Sequence, residues 1–204
     1  ILEVDGTNSD EFEETVDTYY SSVDFPEGVN MSFSSINLKG QGFKETHILS
    51  FVSPSSQSLA NLRASLSGEK WENYLDLVGP FVENVRVSAG NATQVYNAEQ
   101  FYPIGQVWSF KVKSKHVPQF SQAFAKLMQT FEAPGFVGLA NVTHGISNGE
   151  NLLIYGTYPN LNSAFTFGPK NENEVKAFSV FNDLVGDISE FTQSWTRVLI
   201  KSYE

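Results

Sequence analysis

The sequence contains no cysteine, so disulfide bonds, thiol nucleophiles and thiolate-bound metals are excluded. It also lacks any apolar run near the roughly 18 residues that a membrane-spanning helix needs, which predicts a soluble globular protein without membrane association. Basic residues are scarce, with 13 Lys and Arg against 23 Asp and Glu and a net charge of −10. The first 38 residues contain no Lys or Arg at all. Such a surface repels phosphate backbones, so nucleic acid is not an expected partner.

Only three histidines occur, and no two of them have metal-ligand spacing. Glycine-rich nucleotide loops and the Gly-x-Ser-x-Gly hydrolase elbow are absent as well. We therefore predict no metal site, and we set aside the nucleotide-binding and serine-hydrolase classes.

The compartment is only weakly indicated by the sequence. The chain opens at Ile1 with strand-like residues, as expected if a signal peptide has been removed. Three Asn-x-Ser/Thr sequons are present, at Asn30, Asn91 and Asn141. Both features favour an exported or periplasmic protein over a cytoplasmic one.

A repeated pattern is the most informative feature that is present. Residues 45–54 and 150–159 are both apolar, β-rich runs that begin with Glu and end in Pro. Each run is followed by helical spacing and then by the same string, Asp-Leu-Val-Gly, at 76–79 and at 183–186. The repeat predicts two related halves, residues 1–97 and residues 98–204, packed as one domain.

Each half reads as strand, helix, strand, strand, helix, strand. The helix at 118–131 shows the clearest period, because its apolar residues recur every three or four positions. Residues 89–105 are interpreted as a connector between the halves. This order is that of a ferredoxin-like β-α-β-β-α-β unit, so we predict an α+β protein made of two such repeats.

The strands have one apolar face and one of mixed polarity, as the alternation over residues 107–113 shows. Two antiparallel sheets that meet through their second faces would enclose a barrel. In this respect the chain resembles the dimeric α+β barrel superfamily, fused here into one chain. That superfamily includes antibiotic-biosynthesis-type monooxygenases, stress-responsive barrel proteins and chlorite dismutase-like haem proteins.

Polar residues of the strands are the candidate catalytic groups. Arg86 and Arg197 occupy matching places in the last strand of each half, where a guanidinium suits a carboxylate or an enolate. His47 corresponds to Leu152 when the two halves of the repeat are aligned. The halves therefore differ there, and an asymmetric site could include His47 as a general base. Matched arginines are also what a shared scaffold would carry, and a single strand histidine is usually structural.

The candidate ligand-binding residues are aromatic or lie at a strand end. A flat aromatic substrate or a haem would stack on such rings, although they equally suit packing against the sheet. The set is Trp108, Tyr155, Trp195 and His144.

The resemblance implies a protein that binds a small apolar or aromatic molecule inside the barrel. One form of this function is a cofactor-independent monooxygenase. An alternative is a haem-binding, chlorite dismutase-like protein with His144 or His47 as axial ligand. A third is a non-enzymatic interaction module whose interior is filled by side chains, and monomer and homodimer both remain open.

Overall fold

The computed structural model describes residues 1–146 and 148–204. These residues form two compact units. Unit 1 comprises residues 1–37, 41–86 and 198–204, and unit 2 comprises residues 38–40 and 87–197. The division into sequence halves at 97 and 98 stays a prediction about the repeat.

Unit 1 is an antiparallel sheet with helices. Its elements are β1 (Leu2–Val4), α1 (Ser9–Tyr20), β2 (Asn30–Lys39), β3 (His47–Val52), α2 (Ser56–Ser65), α3 (Glu69–Val78) and β4 (Val82–Val85), and the last residues of β9 (Ser189–Tyr203) also belong to it. The strand order is β4-β1-β3-β2. Helix α2 begins where the Ser55 hydroxyl accepts a hydrogen bond from the backbone N–H of Ser58.

Unit 2 repeats this arrangement. Its elements are β5 (Ala89–Tyr96), β6 (Ile104–Val112), α4 (Val117–Met128), β7 (Val137–His144), β8 (Leu152–Tyr158), α5 (Leu161–Phe165), α6 (Glu172–Gly186) and the first part of β9. The strand order is β9-β6-β8-β7-β5. If the strands β6, β7, β8 and β9 are numbered one to four, their order in the sheet is 4-1-3-2. This is the same order as that of β1 to β4 in unit 1.

The recurrence of this order confirms the predicted fold class, tandem ferredoxin-like units of the α+β type with antiparallel sheets. The interpretation of residues 89–105 as a plain connector is wrong over its first part. Residues 89–96 form β5, which pairs antiparallel with β7. Their Ala, Gly and Asn content gives little strand signal, and the pairing with β7 decides their conformation.

The helices of unit 2 follow their apolar spacing. In α4, proline stands in the first turn, where its missing N–H costs nothing, and Phe120, Phe124 and Leu127 are buried on one face. In α6, the Asn171 side chain caps the first turn by accepting from the backbone N–H of Glu174. None of the described helices is long and apolar enough to cross a membrane.

The sheet of unit 2 has two distinct faces. Side chains alternate along a strand, and residues directly opposite each other on paired strands share a face. Phe110 pairs with Leu152, and both pack into the cluster formed with α4 and α6. Residues 105, 107 and 109 pair with 157, 155 and 153 and therefore lie on the other face. We call this second face the helix-distal face of unit 2.

Candidate functional site

Two residues singled out in the sequence lie in direct contact in unit 2. The Arg197 guanidinium, on β9, donates from Nε to the Tyr155 hydroxyl at 3.0 Å, and its Nη2 donates to the same oxygen. Its Nη1 donates to the carbonyl oxygen of Pro103 at 2.8 Å. Arg197 and Tyr155 are therefore positioned by β9 and β8, and the backbone before β6 fixes the opposite side of the guanidinium.

This guanidinium is a buried charge for which the described part of the chain supplies no negative partner. Arg197 is 3% exposed, and within the described residues no carboxylate lies at ion-pair distance from it. Burial raises the pKa of Tyr155, and the nearby Arg197 lowers it only in part. The phenol is thus neutral at ordinary pH, so the positive charge stays uncompensated. Buried charges in proteins are almost always paired, which makes this position exceptional.

Aromatic rings surround the guanidinium. The Arg197 Cζ atom lies 5.0 Å from the centre of the Phe101 ring and 5.7 Å from that of Tyr155. Phe136 continues the same group, with ring centres 6.1 Å from Phe101 and 5.8 Å from Tyr155. A cation with aromatic walls recognises a flat anionic molecule, because the walls stack while the charge binds oxygen.

Gly105 makes the close approach of Arg197 possible. A Cβ atom built on Gly105 would lie 2.6 Å from the Arg197 Nε and 2.6 Å from the Tyr155 hydroxyl oxygen. Only a hydrogen fits there, so any other residue at this position would displace both functional groups. Gly105, Phe101, Phe136 and the Pro103 carbonyl were not predicted as site residues. The only sequence feature that could have indicated this group is the glycine near the start of a strand, at position 105.

Trp108 and Tyr155 do not face the same space. Trp108 pairs with Ile154 on β8, and its ring packs 5.4 Å from Phe167 on the helix-covered face. Tyr155 lies on the helix-distal face, opposite Val107. The two rings cannot line one pocket. Trp195, the third predicted aromatic, is 6% exposed and precedes Arg197 by two residues on β9.

His47 lies in the core of unit 1. Its Nε2 is 3.0 Å from a carboxylate oxygen of Glu13, and its Nδ1 is 2.9 Å from the Thr46 hydroxyl. The rings of Phe12 and Phe33 pack against it at 5.0 and 5.7 Å. Ser9 also approaches Nε2, at 3.5 Å. A catalytic triad needs the serine and the acid on opposite ring nitrogens, so this group has the packing and bonding of a structural histidine.

We predict a structural role for His47 that can be measured. Replacing His47 with alanine leaves a cavity between two phenylalanines and removes two partly buried hydrogen bonds, so the free energy of unfolding should fall by about 2 kcal/mol or more. Urea denaturation measures this. The control is His144→Ala, because His144 is exposed at the end of β7 and should leave stability unchanged. Equal stability of both variants would contradict the structural assignment.

Arg86, the predicted counterpart of Arg197, has a different environment. In unit 1 its Nε lies 2.7 Å from a carboxylate oxygen of Glu45, and its Cζ lies 5.5 Å from the Phe43 ring. Its charge is therefore neutralised by a partner. Matching positions in the two units thus carry an ordinary ion pair in one and an uncompensated charge in the other.

The two histidines predicted as axial ligands, His47 and His144, do not fit a haem-binding role. Both ring nitrogens of His47 lie at hydrogen-bond distance from other groups inside the core. His144 is exposed, and its Nδ1 lies 3.0 Å from the Thr143 hydroxyl. Neither presents a nitrogen to an enclosed space for axial ligation. Within the described residues, no group of three or more metal-ligating side chains is present either.

Comparison with solved structures identifies the fold. A candidate monooxygenase from Fusobacterium nucleatum subsp. nucleatum ATCC 25586 is 13% identical with a TM-score of 0.67, and the match covers 100% of this chain and 91% of that one. An anthrone oxidase-like protein is 11% identical, TM-score 0.60, over 98% and 89% of the chains. A candidate chlorite dismutase is 9% identical, TM-score 0.50, over 94% and 84%.

Because the sequence identities are near 10%, these matches establish the fold of this chain and not its activity. No protein-family model matches the sequence, and no curated protein matches it either. The chain has the fold of the dimeric α+β barrel superfamily, as its resemblance predicted.

Proposed function

We propose that the protein binds a small planar aromatic molecule with an anionic oxygen at the Arg197–Tyr155 cluster, and that it oxidises such a molecule with O2 without a cofactor. The uncompensated charge of Arg197 carries this proposal. A phenolate, an enolate or a carboxylate would supply the missing negative partner, and the guanidinium still has N–H groups to donate.

The chemistry follows from what a buried cation does to an acidic substrate. A guanidinium lowers the pKa of an adjacent enol or phenol, as Arg197 does in part for Tyr155. A substrate that is more acidic than tyrosine is therefore bound as its anion. The electron-rich anion is the form that reacts with O2. For a ring CH2 group, one oxygen atom becomes the new carbonyl and the other leaves as water with the two hydrogens. The substrate supplies all the electrons, so no cofactor is required.

Two of the similar structures support this choice of chemistry. One is described as a monooxygenase and the other as anthrone oxidase-like, and anthrone has a ring CH2 group that can form an enolate. The position of the charge beside the rings of Phe101 and Tyr155 supports the same substrate class. Of the two arginines predicted as candidate catalytic residues, the proposal keeps only Arg197, because Arg86 already pairs with the Glu45 carboxylate.

Binding is tested with 2-naphthoate as the aromatic anion and naphthalene as its neutral analogue, by titration calorimetry. We expect 2-naphthoate to bind the wild type and naphthalene to bind at least about tenfold more weakly, the effect of one ionic contact. Arg197→Gln should weaken 2-naphthoate binding about tenfold or more. Arg86→Gln is the matched control and should bind like the wild type.

Activity is tested separately with anthrone in air, by the absorbance of anthraquinone and by O2 uptake. Equal oxidation rates with the wild type and with Arg197→Gln would reject the monooxygenase activity but not the binding site. Absence of 2-naphthoate binding would reject the site itself. The remaining interpretation would then be an interaction module with a filled interior.

A further inference from the structure

We infer that Phe101 controls entry to Arg197, and that the aromatic ring of the ligand takes the place of the Phe101 ring on the guanidinium. This inference rests on the proposed function, because it concerns access to the same site. It adds a residue that decides which molecules enter.

The two stacked groups differ sharply in exposure. Phe101 is 46% exposed, whereas Arg197, directly beneath its ring, is 3% exposed. One side of the ring therefore contacts the guanidinium and the other side contacts water. A large apolar side chain half exposed to water gains little from burial, so its position depends on its contacts with the cation and with the neighbouring rings of Phe136 and Tyr155.

The backbone on both sides of Phe101 is fixed. The Gln100 carbonyl accepts hydrogen bonds from the Phe136 backbone N–H at 2.8 Å and from the Thr157 hydroxyl at 3.1 Å. On the other side, the Pro103 carbonyl accepts from Arg197. Opening the site therefore requires rotation of one side chain and no movement of the loop. Exposed side chains exchange rotamers without backbone movement, so entry is limited by the small fraction of molecules in which the ring has left the guanidinium.

The geometry also selects the ligand. When the Phe101 ring rotates away, it leaves the guanidinium face open beside the rings of Tyr155 and Phe136. A planar aromatic anion restores the cation–π contact and adds a negative charge. An aliphatic carboxylate adds the charge but not the ring contact, so it should bind more weakly.

Phenylglyoxal, which reacts with accessible arginine side chains, tests the covering role without any ligand. Modification of Arg197, located by peptide mass spectrometry, should be slow in the wild type and about tenfold faster in Phe101→Ala. The matched control is Phe165→Ala, since Phe165 is 67% exposed on α5 and should leave the rate unchanged. Arg86 provides an internal reference in every sample.

Stopped-flow mixing with 2-naphthoate tests the control of entry. We expect the association rate constant to rise about tenfold in Phe101→Ala and to fall in Phe101→Trp, because indole stacks more strongly on a guanidinium. Octanoate should bind the wild type more weakly than 2-naphthoate. If the wild type binds 2-naphthoate but both Phe101 variants keep its rate, Phe101 does not control entry and the proposed function stands. If the wild type does not bind it, both are rejected.

Discussion

Replacing Gly105 with alanine is expected to lower the free energy of unfolding by about 1–3 kcal/mol or more and to abolish 2-naphthoate binding. The new methyl carbon would lie 2.6 Å from the Arg197 Nε and from the Tyr155 hydroxyl oxygen, and 2.9 Å from a ring carbon of Tyr155. These atoms cannot yield independently, because the guanidinium is hydrogen-bonded to the phenol and to the Pro103 carbonyl. The substitution must break the cluster or shift β6. Urea denaturation and titration calorimetry measure the two effects.

Gly156→Ala is the matched control for this prediction. Gly156 lies on β8, is also buried, and directs its Cα hydrogen to the opposite face of the sheet. A Cβ atom there would meet the Tyr158 hydroxyl oxygen at 3.5 Å and the Trp108 ring at 3.6 Å, which are ordinary contacts. We expect 2-naphthoate binding to persist in this variant. Retained binding in Gly105→Ala would show that the guanidinium does not need its present position.

The fold was predictable because its signals are local. The three-and-four spacing of apolar residues predicts the helix α4, with its start within one residue and its end three residues beyond Met128. The order of strands and helices then gave the ferredoxin-like units. Strand β5 was missed for a physical reason: its first residues, 89–92, have little strand preference of their own, and pairing with β7 decides their conformation.

The candidate site was predictable only in part. Side-chain chemistry predicts Arg197 and Tyr155 separately as site residues, and the structure places them in hydrogen-bond contact. Trp108 was chosen by the same reasoning but lies on the other face, because one step along a strand reverses the direction of a side chain. Phe101 was beyond prediction, since its role depends on where a loop places its ring. Sequence pattern thus identifies chemical groups, whereas the face on which they meet is decided by register.

The sequence also did not show that the two arginines differ in whether a carboxylate compensates their charge. Arg86 and Arg197 match within the repeat, yet among the residues that the structure describes only Arg86 has a carboxylate at ion-pair distance. That carboxylate, Glu45, also has a counterpart in the second half, Glu150. Glu150 instead accepts a hydrogen bond from the Gln193 side chain. The two halves therefore have the same residue types at these positions and differ in which residues contact each other.

Replacing Tyr155 with phenylalanine is expected to destabilise the protein and to make its stability depend on an anion. The ring remains, but the oxygen that accepts from the Nε and Nη2 of Arg197 is lost. Leaving buried donors without an acceptor costs about 1–3 kcal/mol. A bound carboxylate can replace the lost acceptor, so 2-naphthoate should restore most of the stability. At about 100 times its Kd a ligand contributes about 2.7 kcal/mol.

The control is Tyr158→Phe, on the same strand. The Tyr158 hydroxyl is buried and has no hydrogen-bond partner among the described residues, so its removal should leave the free energy of unfolding unchanged or slightly higher. Urea denaturation of both variants, with and without 2-naphthoate, gives the comparison. A Tyr155→Phe protein as stable as the wild type would mean that the Arg197 donors are satisfied without the phenol oxygen. One that 2-naphthoate leaves unstable would mean that the carboxylate does not bind these donors. The proposed binding site would then lose its physical basis.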